Sequence, residues 1–337
     1  MTVLVTGAAG YIGSHTAVEL LEAGQRVVGI DDYSNSKPEA IARVQEIAGR
    51  QLDAMYDADL RDAAQLDAIF QQHDIDAVIH FAGLKSVAES VEQPLRYFDV
   101  NVGSTLSLLS TMTNHGVNKL IFSSSCTVYG DPPLSSMPLD ETQAHSPVNP
   151  YGQSKAQIES MLVAVCESNP DLAVTALRYF NPIGAHGSGR IGEDPNGTPN
   201  SLLPHVMQTA VGLRDAVRVF GADYPTSDGT AIRDYIHVVD VARGHLNALD
   251  LDKSGFTAVN LGTGIGSSVL DVISSASKVV GFEIPYLIEP RREGDAVAVF
   301  ADPTQACVEL DWKAEFDLSQ MCNDHWRWQK NNPTGYE

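Results

Sequence analysis

The sequence is poor in cysteine and in positive charge, and these shortages exclude several classes of protein. Its four cysteines lie far apart, without the short Cys and His spacings of zinc or redox motifs, so we predict free thiols and no metal site. Lysine and arginine number 22 against 43 aspartates and glutamates, which gives a formal net charge of −21. Such a charge repels nucleic acid and acidic membrane surfaces, and we expect neither as a partner.

Long hydrophobic runs are also missing. No apolar stretch approaches the roughly 20 residues that a membrane-spanning helix requires. The first residues, Met1–Thr6, carry no basic segment and lead directly into a glycine-rich turn, which is unlike a secretion signal. We therefore expect a cytoplasmic protein. The 43% of hydrophobic residues and the absence of low-complexity tracts are typical of a soluble α/β protein with one large domain or two.

A glycine turn follows the first predicted strand. Gly7-x-x-Gly10-x-x-Gly13 lies between this strand and an amphipathic helix, and a second apolar strand then ends at Asp31. Glycines at such a turn let the backbone approach a pyrophosphate at the helix N-terminus, and the acid is placed to bond ribose hydroxyls. The glycine spacing differs from the commonest dinucleotide fingerprint, but the strand, helix and acid around it favour this function. Asp31 would repel a 2′-phosphate and no arginine follows it closely, so we predict NAD rather than NADP.

Strands and helices continue to alternate along the first half of the chain. Repeated βα units of this kind predict an α/β fold with a Rossmann-like, doubly wound parallel sheet, whose ligands bind at the carboxyl ends of the strands. These ends carry Asp59, Phe81, Lys85 and Ser125. Beyond Phe180 the pattern is less regular. We therefore predict a cofactor domain over residues 1–180 and a smaller α/β substrate domain over residues 181–337.

A tyrosine and a lysine stand four residues apart at the start of a predicted helix. Tyr151 and Lys155 therefore share a helical face. A neighbouring ammonium favours the phenolate, which lowers the pKa of a tyrosine and makes it a usable proton acceptor. The spacing alone equally fits two surface residues. A rigid, proline-rich loop can bring the hydroxyl of Ser125 back beside Tyr151, although a run of three serines is also an ordinary strand end.

These motifs together resemble the extended short-chain dehydrogenase/reductases. The resemblance rests on the glycine turn, Ser125, Tyr151-x-x-x-Lys155 and Arg291-Arg292-Glu-Gly-Asp295. Further segments are similar to the members that invert C4 of UDP-hexoses. These segments are Thr6–His15, His80–Lys85, Ser123–Gly130, Arg178–Pro182 and Arg233–His237. The resemblance covers essentially the whole chain, with the motifs in the expected order.

The resemblance implies roles for individual residues. Tyr151 would be the base, Lys155 would lower its pKa and hold the nicotinamide ribose, and Ser125 would hydrogen-bond the reacting hydroxyl. The implied NAD contacts also include Gly7, Gly10, Tyr11, Ile12, Gly13, Asp31, Asp32, Tyr33, Ser34, Asn35, Ser36, Asp59, Leu60, Phe81, Ala82, Gly83, Leu84, Lys85 and Phe180. Besides Ser125 and Tyr151, the implied UDP-sugar contacts are Asn181, Asn200, Ser201, Arg218, Val219, Phe220, Arg233, Arg292, Asp295 and Val299.

The implied activity is the interconversion of UDP-glucose and UDP-galactose in galactose metabolism. The sugar would be oxidised at C4 by tightly held NAD+, turn as a 4-ketose and be reduced on its other face. Arg233 and Arg292 would anchor the diphosphate inside an otherwise acidic protein. Val299 lies where members of the family carry either a bulky tyrosine or a small residue, which suggests that UDP-N-acetylhexosamines are also accepted. A homodimer that pairs the helices near residues 94–115 and 151–167 is implied as well.

Two other functions remain as alternatives. A nucleotide-sugar 4,6-dehydratase of the same fold needs an added acid/base pair, typically Asp-Glu after the strand-end Ser or Thr. Here Cys126-Thr127-Val128 follows Ser125, without a carboxylate. A non-catalytic NAD-sensing regulator would bind the cofactor but lack the base. The presence of Tyr151, Lys155 and Ser125 argues against it.

Overall fold

The computed structural model describes residues 1–292 and 294–336. Its strands are β1 (Thr2–Thr6), β2 (Arg26–Asp31), β3 (Ala54–Asp57), β4 (Ala77–His80), β5 (Lys119–Ser125), β6 (Ala173–Tyr179), β7 (Asn181–Ile183), β8 (Val217–Phe220), β9 (Ile232–His237), β10 (Gly255–Leu261), β11 (Gly266–Ser268), β12 (Tyr286–Glu289) and β13 (Ala298–Val299). Its α-helices are α1 (Tyr11–Glu22), α2 (Pro38–Ala48), α3 (Ala63–Gln72), α4 (Val87–Glu92), α5 (Pro94–Tyr97), α6 (Gly103–His115), α7 (Pro150–Ser168), α8 (Leu202–Ala210), α9 (Val238–Ala248), α10 (Val269–Val280), α11 (Thr304–Leu310) and α12 (Leu318–Asn331).

The largest sheet has the strand order β10-β6-β5-β4-β1-β2-β3, and all its neighbouring strands are parallel. Its central strands are almost wholly buried, since helices cover both faces. The strand order reverses between β1 and β4, and a doubly wound sheet opens its ligand crevice at such a point. The predicted α/β fold and Rossmann-like sheet are confirmed.

Two hydrophobic clusters cover the faces of this sheet. One contains buried side chains from α1, α2 and α9, and the other contains side chains from α3, α6 and α7. Alternate residues of β1 divide between them: Val3 and Val5 belong to the first cluster and Leu4 to the second. This is the side-chain period of two that an extended strand imposes.

The later part of the chain builds two smaller sheets. Strand β9 lies between β11 and β13 and also pairs with β7, while β8 pairs with β12. A third cluster joins these strands to α8, α10 and α12. Not all of the chain after residue 180 lies in this region. Strand β10 pairs with β6 at the edge of the large sheet, and α9 packs against α1.

The residues at the start of α7 form a helix cap. The side chain of Asn149 accepts a hydrogen bond from the amide of Gly152 at 2.9 Å, and Pro150 occupies the first helical turn. An Asn cap satisfies one of the otherwise unpaired amides, and proline is tolerated there because its missing N–H would have no partner. This cap fixes the first turn of α7, which carries Tyr151.

The helical stretch predicted over residues 94–115 is confirmed, with one irregularity. Helices α5 and α6 are joined by a π-helical turn at Phe98–Val102. Asn101 in this turn accepts a hydrogen bond from the amide of Leu84 at 2.7 Å and donates one to Ser154 at 3.0 Å. The irregular turn therefore links the end of β4 to α7.

Within residues 1–292 and 294–336, no helix is long and apolar enough to cross a membrane. The same residues contain no group of three or more His, Cys, Asp or Glu side chains that could hold a metal ion. The thiols of Cys126, Cys166, Cys307 and Cys322 are free.

Candidate active site

A cleft of 490 Å³ lies at the carboxyl ends of the strands in the large sheet. This volume is within the range of small-molecule and cofactor sites. Most of the predicted cofactor residues line it, as do Tyr151, Lys155 and Asn200. The predicted cofactor residues in the cleft wall are Gly7, Gly10, Tyr11, Ile12, Gly13, Asp31, Asp32, Ser34, Asn35, Ser36, Asp59, Leu60, Phe81, Ala82, Gly83, Leu84 and Lys85.

The glycine turn at the start of α1 has no room for side chains. A Cβ on Gly13 would lie 2.1 Å from the carbonyl oxygen of Gly7, and one on Gly7 would lie 2.9 Å from the amide nitrogen of Ala82. Gly7 also has a φ of 68°, in the left-handed region that glycine adopts readily. The turn is therefore packed backbone against backbone at the helix N-terminus, where amides and dipole favour an anion.

Asp31 is the last residue of β2, and it is buried. One carboxylate oxygen accepts from the amide of Ala9 at 2.9 Å, and the other accepts from the amide of Tyr33 and the hydroxyl of Ser36. Burial raises the pKa of Asp31, and these hydrogen bonds oppose the rise. These three bonds occupy three of the four lone-pair positions of the carboxylate, so the group can accept one further bond from a ribose hydroxyl.

The glycine turn, the buried Asp31 and the cleft volume together fit a dinucleotide. An anionic pyrophosphate would lie at the N-terminus of α1, and a ribose diol would face Asp31. Two predicted contacts do not line the cleft: Tyr33 packs against a hydrophobic cluster, and Phe180 is buried in another cluster with Val128 and Val299.

Tyr151, Ser125 and Lys155 lie together where α7 meets the end of β5. The side chain of Ser125 hydrogen-bonds to Tyr151, and all three residues are buried. The ammonium of Lys155 donates to the carbonyl oxygen of Ser123 at 2.8 Å and lies 4.8 Å from the ring centre of Phe122. A phenol, a hydroxyl and an ammonium therefore meet beside the dinucleotide cleft.

The expected lowering of the Tyr151 pKa is not found. Burial, the largest cause, and the nearby Tyr179 raise the pKa of Tyr151, and only the hydrogen bond to Ser125 opposes them to a notable extent. Lys155 instead directs its ammonium to the Ser123 carbonyl. Burial lowers the pKa of Lys155 to about 8, against the attraction of Glu159. At neutral pH Lys155 thus remains mostly protonated.

A buried ion pair joins α7 to the strands next to it. Glu159, one helical turn beyond Lys155, pairs with Arg178 of β6 at 2.6 Å and accepts a hydrogen bond from Ser124. Burial alone would raise the pKa of Glu159, but hydrogen bonds with His145 and Arg178 lower it to about 2. Both members of the pair are therefore charged, and they join α7 to the two strands beside it.

Two arginines and an acid among the predicted substrate residues lie close together. Asp295 lies 3.3 Å from Arg292 and 4.0 Å from Arg233. The guanidinium of Arg292 is stacked 4.2 Å from the ring centre of Phe220, and its side chain is 62% exposed. Arginine donors that lie close together can take a bidentate anion such as a phosphate.

Other predicted substrate residues are less directly placed. Asn181 Oδ1 is buried without a hydrogen-bond partner among the described residues, as expected of an acceptor reserved for a ligand. Arg218 pairs with Glu289 on the surface. The side chain of Val219 is buried in the third cluster, which leaves only its backbone for a ligand.

Sequence reasoning missed one wall of the cleft. Glu193, Asp194, Asn196 and Tyr336 line it together with the predicted residues. Ser201, predicted to contact the sugar nucleotide, donates to Glu193 at 3.0 Å. Most of this wall belongs to segment 181–201, which is rich in glycine, proline and asparagine and has no periodic pattern. Nothing in its local pattern showed which of its side chains would face the cleft.

Known proteins share this architecture over the whole chain. A UDP-glucose 4-epimerase of Bacillus subtilis (strain 168) is 52% identical, over 100% of this chain and 99% of the relative. The human UDP-glucose 4-epimerase is 51% identical, over 99% of this chain and 98% of its own. The crystal structure of UDP-glucose 4-epimerase from Bifidobacterium longum, in complex with NAD+ and UDP, is 49% identical and covers both chains completely, with a TM-score of 0.96.

A family model accounts for the segment that builds the cleft. It matches residues 3–262, which begin in β1, include the glycine turn, Asp31 and Tyr151, and end just after β10. The match ends where the large sheet receives its last strand. On this match and on relatives that are about half identical over their full length, the chain belongs to the NAD dependent epimerase/dehydratase family.

Proposed function

We propose that the protein interconverts UDP-glucose and UDP-galactose by inverting the configuration at C4 of the sugar. The observation that carries the proposal is the buried group of Tyr151, Ser125 and Lys155 beside a dinucleotide cleft. A base with a hydride acceptor next to it can oxidise an alcohol reversibly. The relatives named above and the NAD+ and UDP in the Bifidobacterium complex support this proposal.

In the proposed reaction, Tyr151 removes the proton of the C4 hydroxyl, and Ser125 hydrogen-bonds the same oxygen. NAD+ held along the glycine turn and Asp31 would supply the hydride acceptor at C4, and when the hydride returned to the opposite face of the ketose, Tyr151 would return its proton to the C4 oxygen. The ammonium of Lys155, which donates to the Ser123 carbonyl at the cleft wall, would also donate to a ribose hydroxyl of the bound cofactor. Between the two transfers the 4-ketose turns about its phosphate linkage while the protein holds the diphosphate.

Arg233 and Arg292 hold the diphosphate in this proposal. Their guanidinium groups meet across Asp295, so each is positioned before a ligand arrives. Arg233 also donates to the carbonyl oxygen of Ala296 at 2.8 Å, which fixes it against the same segment. The Arg233 side chain, which is held by these contacts, loses little freedom on binding, and both arginines give local attraction in a chain of net charge −21.

The test is an incubation of the purified protein with UDP-galactose, without added NAD, followed by chromatography. Formation of UDP-glucose, and the reverse reaction from UDP-glucose, without net accumulation of NADH is the expected result. A 4-keto-6-deoxy product would instead identify a dehydratase. Absence of turnover with NAD bound would favour a sensor without catalysis.

The site is also expected to accept UDP-N-acetylgalactosamine. Val299 is a small side chain packed in the cluster that contains Phe180, and a bulky residue there would take up more of the space around it. We expect measurable conversion of UDP-N-acetylgalactosamine, and Val299→Tyr should reduce it far more than conversion of UDP-galactose. Chromatography of both reactions measures the ratio. A wild-type protein that turns over UDP-galactose well but not the N-acetyl sugar would contradict the expectation.

We also propose that two chains form a homodimer through α4, α5, α6 and α7. These helices pack together and leave large apolar side chains exposed on their outer face. Leu95 is 83% exposed, and Val91, Leu106 and Val163 lie exposed on neighbouring helices. A shared apolar face on adjacent helices is typical of a protein interface.

The dimer proposal predicts that Leu106→Glu produces monomers, because a carboxylate would have to be desolvated in the interface. Light scattering at several protein concentrations measures the mass. Val308→Glu is the matched control, since Val308 is equally apolar, is exposed and lies on α11 outside this face. A monomeric wild-type protein, or a dimeric Leu106→Glu variant, would refute the interface.

Three expectations from the sequence stay predictions. They are the cofactor role of residues 1–180, the substrate role of residues 181–337 and a cytoplasmic location.

A further inference from the structure

Residues 192–196, here called the strap, form part of the cleft wall although they come from the later part of the chain. The strap lies between two loops that follow strands of the large sheet. One loop runs from Asp31 to Lys37 after β2, and the other runs from Phe81 to Lys85 after β4. Its two consecutive acids pair with a lysine from each loop.

The first pair is Lys37 with Asp194. Their charged atoms lie 2.7 Å apart, and both side chains are partly shielded from solvent. Asp194 also accepts a hydrogen bond from the amide of Tyr336 at 2.7 Å. The strap is thus tied to the loop after β2, and Tyr336 is tied to the strap.

The second pair is Lys85 with Glu193, at 2.8 Å. The Glu193 side chain is only 1% exposed, whereas that of Lys85 is 42% exposed, so the pair joins a buried acid to a lysine at the surface of the cleft wall. Its Oε1 also accepts the Ser201 hydroxyl, while Oε2 is buried without a hydrogen-bond partner among the described residues. A buried carboxylate oxygen left in this state is costly unless a ligand donates to it. This acceptor therefore points to a hydroxyl or amide donor in the cleft.

Hydrogen bonds of Asn196 and Tyr336 also hold the strap in place. The side-chain amide of Asn196 donates to the carbonyl oxygens of Tyr33 and Ser34, each at 3.2 Å. The hydroxyl of Tyr336 accepts from the amide of Gly192 at 3.2 Å. At Gly335 an added Cβ would lie 2.3 Å from the carboxylate of Asp194, so the chain end passes closely over this acid. Both ends of the strap are therefore fastened.

We propose that the strap, fastened by the chain end, is a clasp that retains the dinucleotide through repeated turnovers. The proposal rests on the proposed function, since an enzyme that regenerates its cofactor in every cycle gains nothing from releasing it. Release requires the strap to move away from the loops after β2 and β4, and that movement breaks both ion pairs. The clasp acts on cofactor release and not on the proton transfer at Tyr151.

The test measures how fast bound NAD leaves the protein. Wild type and Lys37→Ala are loaded with labelled NAD, and loss of label is followed during a chase with unlabelled NAD. We expect Lys37→Ala to release NAD on the order of tenfold faster, which corresponds to the loss of about 1.4 kcal/mol. Asp194→Asn, which keeps the shape of the side chain, is expected to change the rate in the same direction.

Lys253→Ala is the matched control. Lys253 forms an ion pair with Glu309 at 3.0 Å, at a more exposed position away from the cleft, and its loss should leave NAD release unchanged. Thermal unfolding of each variant is recorded alongside. A lower melting temperature with wild-type release in the Lys37 and Asp194 variants would overturn the clasp and leave a stabilising role only. A wild-type protein that releases no NAD on denaturation and also takes up none would instead overturn the proposed function.

Discussion

Replacement of Tyr151 by phenylalanine is expected to reduce kcat at least about a hundredfold, the usual effect of removing a general acid/base. The hydroxyl is the group that would take the C4 proton, and the buried surroundings leave little water to replace it. The ring stays in place, so the fold should be preserved. Steady-state conversion of UDP-galactose measures kcat and KM separately, and the loss should fall on kcat.

Tyr56→Phe is the control for this experiment. Tyr56 also hydrogen-bonds through its hydroxyl, to His73 at 2.7 Å. It lies in the edge strand β3, which β4, β1 and β2 separate from β5 and the Tyr151 site. Its loss should leave kcat unchanged. Activity of Tyr151→Phe within a few-fold of wild type would remove Tyr151 from the role of base.

Replacement of Arg178 by alanine is expected to lower the free energy of unfolding by about 3–5 kcal/mol. The change leaves Glu159 charged in the interior, where it has lost its closest cation and keeps only Ser124 and His145 as partners. Because Glu159 lies one turn from Lys155 on α7, the Lys155 side chain should also be held less firmly in the site. Denaturant unfolding at saturating NAD measures the change in stability.

Arg243→Ala is the matched control for Arg178. Arg243 pairs with Glu19 and Glu315, but its side chain is substantially exposed, and such surface pairs contribute about 0–1 kcal/mol. The double change Arg178→Met with Glu159→Met should recover part of the lost stability, since neither charge is then left alone. An Arg178→Ala variant as stable as Arg243→Ala would contradict the importance of this pair.

Much of the fold was readable from the sequence because its signals are local. The glycine turn and Asp31 both lie next to apolar strands, and the strands and helices alternate in the pattern of a parallel sheet. Tyr151 and Lys155 were placed on one face by helical spacing alone. Their meeting with Ser125 could be anticipated because Ser125 ends a strand of the same sheet and a proline-rich loop connects them.

The remaining features depend on contacts that leave no local pattern. Lys37 and Asp194 are 157 residues apart, and each by itself resembles an ordinary surface charge. The sequence also could not show that Lys155 would turn toward the Ser123 carbonyl, or that burial would raise the pKa of Tyr151. Both effects arise from how tightly helix and sheet close on each other, which is set by the whole core.

The return of β10 to the large sheet has a consequence for any attempt to divide this protein. A fragment that ends at residue 180 would lose β10 and leave the full length of β6 as an unpaired edge, which invites aggregation. It would also lose α9, and with it the cover over the buried side of α1. The two halves are therefore not modules that could be separated and recombined. A chimera that takes its substrate half from another protein must keep residues 238–261 of this chain together with the dinucleotide half.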